Sequence, residues 1–144
     1  MTSAPWPSAC WDNPALRVTG RLKIYFDGGP RPNPGQIEVA VVARGVTHRF
    51  DGLGHGTSHD AEWLALIAAI TLAEELGAAN FELIGDSVPV IQQANGASPC
   101  RCAAAKAHHS RFAALAARTP PARIRWIKRT QNLAGIALAA RHGR

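Results

Sequence analysis

The second part of this sequence lacks acidic residues. All ten Asp and Glu residues lie at or before Asp86, whereas residues 87–144 contain ten Lys or Arg. The first 86 residues carry only six basic residues, so the formal net charge of +6 arises in the second part. This asymmetry favours a surface for a polyanion such as nucleic acid beside an acidic site. A basic surface that only keeps the protein in solution would account for it as well.

Long apolar runs and paired cysteines are also missing. No stretch of about 18 apolar residues is present, so we expect no transmembrane helix and no membrane partner. Residues 1–20 lack the basic start and apolar stretch of a signal peptide. The three cysteines form no paired framework, which favours free thiols and a cytoplasmic protein. Cys100 and Cys102 with His108 and His109 match no common zinc-finger spacing, so we expect no zinc site.

The remaining pattern predicts one α/β domain. The length of 144 residues fits a single domain over residues 21–144, with residues 1–20 as a poorly ordered extension. We expect a monomer with a mixed five-stranded central sheet flanked by helices. The predicted strands are residues 22–26, 37–44, 46–50, 81–85 and 123–128. The predicted helices are a long one capped by Thr57 or Ser58 and ending at Gly77, then residues 87–95, 101–118 and 131–142.

Three carboxylates lie at the ends of predicted strands or at the start of a predicted helix. Asp27 ends the first predicted strand, Glu62 lies in the first turns of the long helix, and Asp86 follows the fourth strand. Strand ends and helix starts form the usual ligand crevice of an α/β sheet. Carboxylates that meet there repel one another unless a cation neutralises them, and hard oxygen ligands suit Mg²⁺ or Mn²⁺. Taken singly, each acid also fits a turn, a solvated helix position or a helix cap.

The sequence around these acids resembles the ribonuclease H family. Four segments match its motifs in order, and the resemblance extends over about residues 21–142. They are YFDGGPRPNPG (25–35), TSHDAEWLALIAAITLA (57–73), LIGDSVPVIQQANG (83–96) and WIKRTQNLAGIALA (126–139). The resemblance implies a ribonuclease H-like fold.

The resemblance also implies a reaction and a set of site residues. The family cleaves the RNA strand of an RNA–DNA hybrid with two Mg²⁺ ions, so Asp27 would bridge both metals while Glu62 and Asp86 hold one of them. Such a hybrid is recognised by its shape, its 2′-hydroxyls and its phosphates. The expected nucleic-acid-binding residues are Gly28, Gly29, Asn33, Thr57, Ser58, His59, Ser87, Lys128 and Arg129.

Three departures from the family leave the function open. The family's fourth Asp falls at Ile136, and a polar residue two places after the third-motif acid is Val88. Ser58 and His59 also stand where the family often carries Asn. We therefore expect an active or weakly active ribonuclease H, with a nucleic-acid-binding module that does not cut as the alternative. A different nuclease or a transposase of the same broad fold fits the motifs less well.

Two tryptophans of the domain are predicted to be buried. Trp63 lies next to Glu62, and Trp126 lies in the last predicted strand. We expect both indoles in the core or at its edge, rather than as platforms for base stacking.

Overall fold

The computed structural model describes residues 21–141, so the predicted extension at residues 1–20 lies outside the described residues. A mixed sheet with the order β3-β2-β1-β5-β6 forms its centre. The strands are β1 (Leu22–Arg31), β2 (Gly35–Ala43), β3 (Val46–Phe50), β4 (His55–Gly56), β5 (Phe81–Gly85) and β6 (Arg123–Trp126). β1 to β3 are antiparallel neighbours, whereas β1, β5 and β6 are parallel. The predicted sheet is confirmed, and the two-residue strand β4, which pairs with β2, was not predicted.

The first strand is longer than predicted. Residues 28–31 were expected to form a turn, but they continue β1 and pair with residues 36–39 of β2. Gly28 and Gly29 keep extended backbone here because they pair in register with Val39 and Glu38 of the neighbouring strand. Asp27 therefore lies inside a strand and not at its end, which corrects the sequence-based placement.

Four helices cover the sheet. They are α1 (Ser58–Glu75), α2 (Val88–Ala94), α3 (Ala103–Arg118) and α4 (Leu133–Arg141), with a 3₁₀ turn at Arg129–Gln131. Thr57 is the N-cap of α1, and it forms a capping box in which the Thr57 side chain accepts from the Asp60 backbone and the Asp60 carboxylate accepts from Thr57. This reciprocal cap sets where α1 begins, and Glu62 follows in its first turns.

The main core lies between α1 and one face of the sheet. Phe26, Trp63, Leu66 and Leu83 are fully buried in it, while α4 packs on the opposite face in a smaller cluster. The prediction for Trp63 is confirmed. The prediction for Trp126 is wrong, since this side chain at the end of edge strand β6 is 48% exposed. No helix among residues 21–141 is both long and apolar enough to cross a membrane.

Two glycines allow the elements around the acids to approach closely. A side chain at Gly28 would overlap the backbone carbonyl of Ala61, so β1 and the start of α1 touch at this point. A side chain at Gly85 would overlap the ring of Phe26 in the same way. Glycine is the residue that permits such backbone approach. The two contacts bring α1 and β5 against β1 next to the acidic residues.

Candidate functional site

Asp27, Glu62 and Asp86 meet at one position. Each offers a carboxylate oxygen within 4.8 Å of the others. Within residues 21–141, these three residues form a cluster that could hold a metal ion. The parallel register pairs Tyr25 of β1 with Ile84 of β5, so two residues further along Asp27 lies level with Asp86. Glu62 reaches them from α1. The topology therefore brings together three acids that are far apart in sequence.

Glu62 shows that this site fits a cation. Its side chain is buried, and its Oε1 accepts a hydrogen bond of 3.1 Å from the Gly28 backbone N–H. The other oxygen, Oε2, is buried without any hydrogen-bond partner. Buried polar atoms are nearly always satisfied, and an exception needs an explanation. A divalent cation held by Glu62, Asp27 and Asp86 would supply the missing partner, with the hard oxygen ligands that Mg²⁺ and Mn²⁺ prefer.

The carboxyls resist ionisation when no cation is near. Burial raises the pKa of Glu62 well above its usual range, and the adjacent Asp27 carboxyl raises it further. Burial also raises the pKa of Asp27, with a further contribution from Asp86, while Arg129 acts in the opposite direction. Negative charge is therefore costly at this position until a cation compensates it.

Removing one charge from the site is expected to stabilise the metal-free protein. We expect Glu62→Gln to raise the melting temperature at pH 7 by about 3–10 °C, because a buried unpartnered charged group costs roughly 1–3 kcal/mol. In the wild type, the contribution of Glu62 to the free energy of unfolding should be fully present below the usual glutamate pKa of 4.5. It should be lost as the pH rises through the raised pKa of the folded state. Thermal unfolding in EDTA from pH 4 to 8 measures both effects.

Glu75→Gln is the matched control, because Glu75 is an exposed glutamate in the last turn of the same helix. This variant should unfold like the wild type over the whole pH range. Equal melting temperatures for Glu62→Gln and the wild type at pH 7 would contradict the expected cost of the buried charge.

Asn132 is a site residue that the sequence-based residue set omitted. It is fully buried, and its amide Nδ2 donates to the Phe26 carbonyl at 3.0 Å and to Asp86 Oδ2 at 2.9 Å. Its Oδ1 accepts from the Ala134 backbone at the start of α4. Asn132 thus joins β1, Asp86 and α4, and it fixes one oxygen of the Asp86 carboxylate. Its place in the fourth motif was the available signal, but its partners lie 106 and 46 residues away.

Asn132→Ala is expected to weaken Mn²⁺ binding by about 10- to 100-fold, the usual cost of losing a residue that orients a metal ligand. Isothermal titration with Mn²⁺ measures this directly. Asn80→Ala, at the opposite end of β1, should bind Mn²⁺ like the wild type. If both variants bind equally well, Asn132 has only a structural role.

The predicted nucleic-acid-binding residues lie on several segments of the fold. Gly28 and Gly29 are in β1, and Asn33 lies in the exposed turn that follows; Thr57, Ser58 and His59 lie at the start of α1. The Thr57 hydroxyl is engaged with Asp60. Ser87 is the N-cap of α2 and makes no side-chain capping bond. Lys128 and Arg129 are exposed at the 3₁₀ turn.

Ile136 is the position at which the resemblance predicts a fourth acid. Asn132 accepts the helix hydrogen bond of Ile136, and residues four apart lie on the same side of a helix. A Cβ at the neighbouring Gly135 would lie 3.3 Å from Asp27 Oδ2. Ile136 is 51% exposed, and no Asp or Glu follows Asp86 in the sequence. The acidic set therefore ends at three.

A parallel β1-β5-β6 unit extended by antiparallel β2 and β3, with three acids at one level, defines a ribonuclease H-like domain. A family model described as reverse transcriptase-like matches residues 37–142. The chain belongs to this ribonuclease H-like family.

Two curated relatives are informative. The ribonuclease HI of Halobacterium salinarum is 42% identical over 83 residues, which are 54% of this chain and 42% of that protein. The bifunctional protein Rv2228c of Mycobacterium tuberculosis is 27% identical over 125 residues, 83% of this chain and 34% of that protein. The chain thus spans less than half the length of these relatives.

Solved structures agree with the fold. Ribonuclease H1 from the archaeon Halobacterium salinarum superposes with a TM-score of 0.77 at 30% identity, covering 87% of this chain and all of that one. LC11-RNase H1, isolated from compost and solved in complex with an RNA/DNA hybrid, has a TM-score of 0.70 at 27% identity. That match covers 78% of this chain and 89% of the other.

Proposed function

We propose that this chain is a metal-dependent endonuclease that hydrolyses the RNA strand of RNA–DNA hybrids. The observation that carries the proposal is the buried, unpartnered Glu62 Oε2 in a cluster with Asp27 and Asp86. A domain that only bound nucleic acid would gain nothing from buried carboxylates facing a polyanion. Mg²⁺ or Mn²⁺ is the proposed cofactor, and an RNA–DNA hybrid is the proposed substrate.

The side chains of the site have different proposed roles at the scissile phosphate. Asp27, Glu62 and Asp86 would hold the metal, which supplies charge neutralisation and an activated water. Asn132 keeps Asp86 oriented through Oδ2. We assign the exposed cations Lys128 and Arg129 to backbone phosphates.

The hybrid itself would be gripped from both sides of the acids. We assign several groups to the sugars and phosphates of the hybrid. They are the backbone of Gly28 and Gly29, the Asn33 turn, the start of α1 at residues 57–59 and the Ser87 hydroxyl, which makes no capping bond. These groups can recognise shape and 2′-hydroxyls without reading a base sequence.

We also propose a cellular compartment and an oligomeric state for the protein. The free thiols of Cys100 and Cys102 fit a reducing compartment such as the cytoplasm. We further propose that residues 1–20 form an extension and that the domain acts as a monomer.

The second candidate function is nucleic-acid binding without cleavage. Ile136 favours it, since the resemblance predicts a fourth carboxylate at this position and the chain carries an exposed apolar side chain there. Three acids provide one well-made metal position and leave any second ion with few protein ligands.

A cleavage assay separates the two candidates. End-labelled RNA–DNA hybrid, double-stranded RNA and double-stranded DNA are incubated with the protein in Mg²⁺, Mn²⁺ or EDTA. The proposal predicts metal-dependent cutting of the RNA in the hybrid alone. Hybrid binding that weakens with salt, without any cutting, would favour the second candidate.

A further inference from the structure

Four exposed apolar side chains lie on the segments that carry Asp86, its partner Asn132 and Trp126. Val88 (45% exposed), Leu133 (45%), Trp126 (48%) and Ile136 (51%) belong to the few large hydrophobic residues that residues 21–141 leave in solvent. Val88 follows Asp86 by two residues, and Leu133 follows Asn132, which bonds the Asp86 carboxylate. We call these four residues the apolar rim. Large apolar side chains left in solvent near a functional site are candidates for contact with a ligand.

Trp126 is the largest member of the apolar rim, and its orientation is fixed. Its indole Nε1–H donates to the backbone carbonyl of Asp86 at 3.2 Å. Its backbone pairs with Gly85, the residue immediately before that acid. The polar edge of the ring is therefore satisfied inside the protein while nearly half of the side chain stays in solvent. An aromatic face held in this way loses little entropy when a ligand covers it.

The charges next to Trp126 identify the kind of ligand. Lys128 and Arg129 follow within three residues, and both are exposed. A flat apolar face beside two cations suits a nucleotide, which combines an aromatic base with a phosphate. Bases inside a continuous duplex have both faces covered by their neighbours. Away from the duplex ends, the indole can therefore stack only on a base that is unpaired.

We propose that Trp126 stacks on an unpaired nucleobase, so that the preferred substrate is a hybrid with a single-stranded extension next to the site of cleavage. This proposal rests on the proposed function and specifies its substrate. The metal site would act on the phosphate, Lys128 and Arg129 would hold the backbone, and Trp126 would hold the base that leaves the duplex.

The test compares a blunt RNA–DNA hybrid with the same hybrid carrying a four-nucleotide single-stranded extension. Binding of fluorescein-labelled oligonucleotides is measured by anisotropy in EDTA, where the RNA stays intact. The wild type should bind the extended hybrid about 5- to 100-fold more tightly, the range typical of one stacked base. Trp126→Ala should lose this preference, and Trp126→Phe should keep most of it. Phe50→Ala, which removes an exposed aromatic at the opposite edge of the sheet, should bind like the wild type.

Two further measurements exclude an indirect effect on the acids. Mn²⁺ affinity should be the same in Trp126→Ala and the wild type. Quenching of tryptophan fluorescence by the extended hybrid should be strong in the wild type and weak in Trp126→Phe. An equal preference for the extended hybrid in Trp126→Ala and the wild type, or no preference at all, overturns this inference even when the hybrid is cut. Failure of the wild type to cut any hybrid overturns the proposed function. The anisotropy measurements in EDTA still show whether base binding depends on residue 126.

Discussion

Asp27→Asn is expected to abolish cleavage of an RNA–DNA hybrid, with a loss of at least about 10²- to 10³-fold, because a catalytic metal contributes several kcal/mol to the barrier. Asp27 lies level with Asp86, and the carboxylates of Asp27, Glu62 and Asp86 lie within 4.8 Å of one another. The asparagine has nearly the same shape and removes only the negative charge.

Single-turnover cleavage of labelled hybrid in Mg²⁺ and in Mn²⁺ measures this loss, and titration with Mn²⁺ should show weakened binding in parallel. Folding should remain intact, since removing a charge from a cluster of buried acids relieves repulsion. Asp51→Asn is the control, because Asp51 is an exposed acid that bonds Arg141 away from the site. Cleavage by Asp27→Asn at the wild-type rate would rule out Asp27 as a catalytic ligand.

Ile136→Asp is expected to have the opposite effect and to raise cleavage by about 10- to 100-fold, within the several kcal/mol that a correctly placed metal ion supplies. The Ile136 backbone N–H bonds the Asn132 carbonyl, and Ile136 follows Gly135, where a Cβ would lie 3.3 Å from Asp27 Oδ2. Its exposure means that a carboxylate at this position is not buried without partners. A fourth acid there would complete a second metal position beside the first.

The stoichiometry of Mn²⁺ binding, measured by titration, should rise from one ion in the wild type to two in Ile136→Asp. Ile136→Asn is the control for size and polarity, and it should leave both the stoichiometry and the rate unchanged. Two ions already bound by the wild type, with no change in the variant, would show that three acids are sufficient.

The carboxylate trio could be predicted because it depends on local patterns. Asp86 directly follows a short apolar strand, and Glu62 lies in the first turns of a helix whose cap, Thr57, is visible in the sequence. Parallel strands then place such positions at one level of the sheet. The order of strands and helices was likewise predicted from periodicity and turn residues.

The extension of β1 and the existence of β4 could not be predicted in the same way. Gly-Gly-Pro and Gly-rich segments are typical of turns, and here they are held extended by backbone pairing with β2. That pairing depends on a neighbouring strand, and nothing in residues 28–31 or 55–56 themselves encodes it.

The roles of Asn132 and Trp126 depend on partners that are distant in sequence. Asn132 bonds Asp86 across 46 residues, and Trp126 bonds the Asp86 carbonyl across 40. An aromatic residue in a strand is usually at least partly covered, so burial was the reasonable prediction for Trp126. Whether the end of an edge strand is covered depends on which neighbouring segments reach it.

The close approach at Gly28 and Gly85 has a consequence for how the protein tolerates change. Neither residue has a functional group, yet any side chain at either position would push apart the segments that carry Glu62, Asp27 and Asp86. Selection for activity should therefore restrict these positions as strictly as the acids themselves. In a library of random variants, the inactive clones should carry substitutions at these two tightly packed glycines as well as at the three acids.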